Sequence, residues 1–169
     1  MKTILAIAIF FSLSVSCMAT GVTLSDRIDE LDAANDTVAE IISDATKEAL
    51  KLPRTNMTTI QSNTLTSLNM LMAEMRHFQS INASVMNSLF FLNETEPSKE
   101  YTRMLSLTLL YMEEAALPQC RNFRVVTGIV EKHPHKNISD IGKRASEVVD
   151  KYIQFLEMVI ANMNKVSGK

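Results

Sequence analysis

Met104-Leu105-Ser106-Leu107-Thr108-Leu109-Leu110-Tyr111-Met112 is the stretch on which the fold turns. Taken alone, the alternation of Leu105, Leu107 and Leu109 suits a strand with one buried face. Read as a helix, the same nine residues are apolar on nearly every side, more than a bundle seam requires. The surroundings decide between the two. The stretch sits inside the long run between Pro97 and Pro134, and the whole 169-residue chain has only four glycines and four prolines to punctuate it. The flanking segments carry helical spacing, so helix is the consistent reading.

Upstream, the segment from about Leu24 to Leu52 places Leu24, Ile28, Leu31, Val38, Ile42, Ala45, Ala49 and Leu52 at the spacing of one helical face. The segment from about Thr58 to Leu92 repeats the pattern with Leu68, Leu71, Met75, Phe78, Val85, Leu89 and Leu92. Downstream, a segment beginning near Ser139 carries Ile141, Ala145, Val148, Tyr152, Phe155, Val159 and Val166. Pro53, Pro97 and Pro134 mark the breaks between the four. Pro118 falls within the third segment, where it removes a ladder N–H and crowds the preceding turn, so the third helix is expected to kink or break there. Its second piece, about Gln119 to Lys132, resumes with Cys120, Phe123, Val126 and Val130. Short links between long helices make sequence neighbours antiparallel. The expected fold is all-α, an elongated up-down-up-down four-helix bundle.

Residues 1–19 read as a signal peptide: Lys2, an apolar run from Ile4 to Val15, and a small-x-small exit at Cys17-Met18-Ala19. A second exit lies at Ser14-Val15-Ser16. Residues 20–169 then form a single helical domain. Removal of the leader takes away Lys2 and no acid, leaving 16 basic and 19 acidic residues and a net charge near −3. That balance argues against a nucleic-acid partner. No later stretch approaches the roughly 18 apolar residues of a transmembrane helix.

Five Asn-x-Ser/Thr triplets follow the leader, at Asn35, Asn56, Asn82, Asn93 and Asn137. Such triplets are acceptor sites for N-linked sugar in a secreted chain, so the expected location is extracellular. Asn56, Asn93 and Asn137 fall at the three proline-marked breaks, where a glycan is sterically easy. Asn35 and Asn82 fall on the apolar seam of a strict heptad. At about 100° per residue Asn35 drifts to the edge of its stripe, whereas Asn82 stays near the middle. Either Asn82 is unmodified and forms a polar layer that fixes register, or the second helix packs otherwise.

The chain has two cysteines, Cys17 and Cys120. Cleavage after Ala19 leaves Cys120 alone in an oxidising compartment, which points to an intermolecular disulfide or to a small buried hydrophobe. Cleavage after Ser16 would keep Cys17 to pair with it.

The residues of chemistry are sparse. Glu74-Met75-Arg76-His77 contains one Glu-x-x-His pair, but a di-iron bundle needs a second copy and two more inward carboxylates. His133-Pro134-His135 could pinch a surface metal ion, but it sits in an expected loop rich in charge, where a solvated turn is the ordinary reading. No nucleophile elbow, phosphate-binding glycine loop or paired-cysteine zinc spacing occurs. No cofactor, metal or catalytic residue is therefore assigned, and the expected function is non-enzymatic.

The surplus of apolar surface is the remaining signal. Met104, Leu105, Leu107, Leu109, Leu110 and Met112 form a candidate interface for a protein partner or self-association, or a lining for a small apolar ligand. The expected architecture is similar to that of secreted helical cytokines and of exchangeable insect lipid carriers. No motif ties the chain to either, and architecture alone does not confer function. The expectation is a secreted, N-glycosylated protein that binds another macromolecule; the alternative is an extracellular carrier of lipid or another small apolar ligand held between helices.

Overall fold

The structure is a computed structural model that describes residues 24–94 and 98–167. The leader (residues 1–19) and Cys17 lie outside the described residues, as does the side chain of Asn93. The described chain is helical in four rods. α1 is Leu24–Leu50 and α2 is Thr59–Glu94. α3 runs from Lys99–Tyr111 through a π-helical turn, Met112–Ala116, into Leu117–Glu131, and α4 is Lys136–Ser167. Each rod packs against the next and α4 closes the ring on α1, giving the four-helix bundle.

The boundaries have local causes. Thr58 and Gln61 form a reciprocal capping box that starts α2: Gln61 N–H donates to Thr58 Oγ1 at 3.3 Å, and Thr58 N–H donates to Gln61 Oε1 at 2.9 Å. Ser98 caps α3 by accepting from Tyr101 N–H at 3.0 Å. Asn56, in the link between α1 and α2, takes a left-handed φ of 57°, a conformation asparagine tolerates better than most residues.

The core follows the stripes read from the sequence. Leu31, Val38 and Ala45 of α1 are buried, as are all seven stripe residues of α2. In α1, Ile41 is fully buried and its neighbour Ile42 only partly, so the seam passes one residue from where heptad spacing puts it. Pro118 does not end α3. The π turn takes up its defect: Leu117 N–H reaches back five residues to Met112 O, and the turn widens just before the missing N–H. The third helix is kinked and unbroken.

α3 and α4 approach closely at Gly142. A Cβ built there would stand 2.3 Å from Glu131 N and 2.6 Å from Val130 C, so only glycine fits. The same interface is polar above that point. Arg124 Nε donates to both Asp150 oxygens at 2.8 and 2.9 Å, and Ser146 Oγ contacts Thr127 Oγ1 and Glu131 Oε2, each at 3.1 Å. Ser139 Oγ also donates to Glu131 O at 2.6 Å.

Candidate functional site

The apolar stretch that decided the fold divides between inside and outside. Leu105, Leu109 and Met112 are core residues, and Met104 is half-buried against that core. Leu107 and Leu110 point outward, 48% and 54% exposed. None of the six lines the groove described below. The outward part of the stretch is continued beyond the π turn. Val125 and Ile129 are 65% and 55% exposed; with one residue discounted for the π turn, at about 100° per residue Ile129 falls in line with Leu110 and Val125 within about 40° of it, on the side of α3 that also bears Leu107. Glu114 and Pro118, both exposed, separate the two apolar pairs.

The sequons take three different environments. Asn56 and Asn137 are exposed. They lie at one end of the bundle, where the α1–α2 and α3–α4 links meet: the Thr64 hydroxyl and His133 Nε2 are 3.0 Å apart there. Asn35 is half-buried, with its Oδ1 enclosed and unpartnered. Asn82 has no exposed surface, and its Nδ2 donates to Leu31 O at 3.0 Å. Sugar attaches through that same nitrogen, so this packing has no room for a glycan at Asn82. The residue is instead a buried polar layer between α1 and α2, and its Oδ1 has no partner.

Cys120 is fully buried. Burial pushes its thiol up to about 12, well above an ordinary cysteine. A thiol without surface cannot reach another chain while the bundle stays closed, so an intermolecular disulfide has no geometric basis in this packing. Cys120 fills core space instead.

The histidines are occupied by structure. His77 is exposed at the bundle surface and packs edge-on against Phe123, with ring centroids 5.4 Å apart. His133 Nδ1 accepts from His135 N–H at 3.1 Å, which leaves Nε2 as the donor to Thr64 Oγ1 at 3.0 Å. Burial and the neighbouring His135 hold the His133 pKa below the usual histidine value. Among the described residues no three histidine, cysteine, aspartate or glutamate side chains come together as a metal site.

An apolar groove lies elsewhere than on Met104–Met112. Between α1 and α4 lies a half-open groove of about 640 Å³, lined by Leu31, Ala33, Ala34 and Thr37 from α1 and by Val148, Lys151, Tyr152, Gln154, Phe155 and Met158 from α4. Its floor reaches the core, since Leu31, Tyr152 and Phe155 are at most 9% exposed. The only signal in the sequence is Ala33-Ala34, small residues that leave α4 unfilled space opposite them. Comparisons with models of known protein families, with characterised proteins and with solved structures found no match to this chain. Its class is set by the fold alone, a four-helix bundle with a π turn in the third helix.

Proposed function

We propose that the chain is a secreted, N-glycosylated, non-enzymatic bundle that acts by binding another macromolecule through the outer side of α3. The observation that carries this reading is the outward placement of Leu107, Leu110, Val125 and Ile129 on one side of a single helix. Exposed apolar residues gathered on one face are what a partner removes from water. No Asn-x-Ser/Thr triplet occurs between Ser98 and Lys136, so sugar would not shield that side. The sequons at Asn56 and Asn137 would instead place it on one end.

The test is native mass spectrometry of the protein in its source fluid after enzymatic deglycosylation, beside a Leu110→Glu/Val125→Glu variant. The wild type is expected in a complex, hetero- or homomeric, that the variant loses while keeping its melting temperature. A wild type found only as a bare monomer, or a complex the variant retains, overturns the assignment. A second reading, an extracellular carrier of lipid or another small apolar ligand held between helices, is favoured by the groove between α1 and α4. Its volume falls within the range of small-molecule sites.

A further inference from the structure

We infer that the groove between α1 and α4 takes an amphipathic monoanion, a medium-chain fatty acid, with its carboxylate at Lys151 and its chain running toward Met158. This inference rests on the carrier reading of that groove and names its ligand class. The argument begins with register. Asp44 and Arg144 form an ion pair across α1 and α4, and the two helices run antiparallel. Equal steps from that pair set Thr37 beside Lys151 and Leu31 beside Glu157.

Thr37 and Lys151 share one level of the groove, flanked by Val148 and Tyr152; Gln154 and Phe155 follow at the next turn, and Leu31 and Met158 lie toward the far end. Lys151 is the one charged residue among the lining side chains, and no acid joins it there. It makes no ion pair among the described residues, whereas Arg121, Arg124 and Arg144, which bridge to α4 or from it, each have a carboxylate partner. An uncompensated ammonium at the mouth of an apolar groove matches a ligand that ends in one negative charge. From Lys151 to Met158 the groove extends about 10 Å at the helical rise. That length suits a chain of eight to ten carbons, so the scale of the tail is set as well as the sign of the head.

Isothermal titration of the full secreted chain with decanoate and with decanol, both below their micelle concentrations, tests the inference. Saturable one-to-one binding of decanoate is expected, several-fold tighter than decanol. Lys151→Gln should weaken decanoate about tenfold and change decanol less than twofold. Octanoate should bind about tenfold more weakly than decanoate, the loss of two buried methylenes. Met158→Glu, at a partly exposed position, should weaken both ligands while the fold is kept. Equal affinity for decanol and decanoate, or a Lys151→Gln variant that binds decanoate as wild type does, overturns the anion assignment and leaves the groove as an apolar site. No saturable binding of either ligand overturns both the assignment and the carrier reading.

Discussion

At the scale of single residues, two buried groups set the chemistry of the core. Cys120, raised to about 12 by burial, holds roughly a thousandth of the thiolate of an ordinary cysteine at neutral pH. Alkylation by iodoacetamide should be negligible in the native protein and complete in guanidinium. Rapid native labelling would show that α3 opens around it. Asn82 carries a cost of the opposite kind. Its Nδ2 is satisfied by Leu31 O, but its Oδ1 is enclosed without a partner, and such an acceptor costs on the order of 1–3 kcal/mol. Leucine has the same branched shape and no polar atoms, though its methyls are bulkier than the amide. Asn82→Leu should therefore be neutral or stabilise the bundle by about 1 kcal/mol, raising the melting temperature by roughly 2–4 °C for a chain of this size. A fall of several degrees in a thermal melt would mean that Asn82 contributes more through its bond to α1 than it loses at Oδ1.

At the scale of helices, α3 and α4 come close at Gly142. Glycine in a helix interior is ordinarily a weakness, and alanine gains about 1 kcal/mol there. At Gly142 the sign reverses, because the added methyl would meet backbone atoms of Val130 and Glu131, which cannot rotate aside. Gly142→Ala should destabilise by about 2 kcal/mol net, as overpacked cores do. The check is a urea titration, in which an unchanged or raised midpoint would contradict the close approach. Much at this scale was legible in the sequence. The seven α2 stripe residues from Leu68 to Leu92 were legible from proline-free periodicity and all are buried, while Met72 and Ile81, also buried, were not picked out. The division of Met104–Met112 was not readable, since a run apolar on every side carries no phase. Gly142 gave no warning either: a close approach depends on the partner helix, which local periodicity does not encode.

At the scale of the whole molecule, the surfaces sort by direction. The link bearing Asn56 and the start of α4 bearing Asn137 share one end, where Thr64 meets His133. The outward side of α3 and the groove beside α1 lie along the length. None of this follows from a linear pattern. The α1–α4 groove joins the first helix to the last, and Lys151 acquires meaning only from facing Thr37 across more than a hundred residues of sequence. Among the described residues no helix is long and apolar enough to cross a membrane.

The π turn at Met112–Ala116 has a consequence for how the gene can change. Anywhere else in α3, deletion of one codon would rotate all that follows by about 100° and carry Phe123 and Val130 out of the core. Here the helix already holds one residue more than α geometry needs. A single-codon loss at exposed Glu114 would draw the turn back to ordinary pitch and leave both flanks in phase. That segment is the place in α3 where the protein can change length and keep its core, with Pro118 as the residue that favours the longer form.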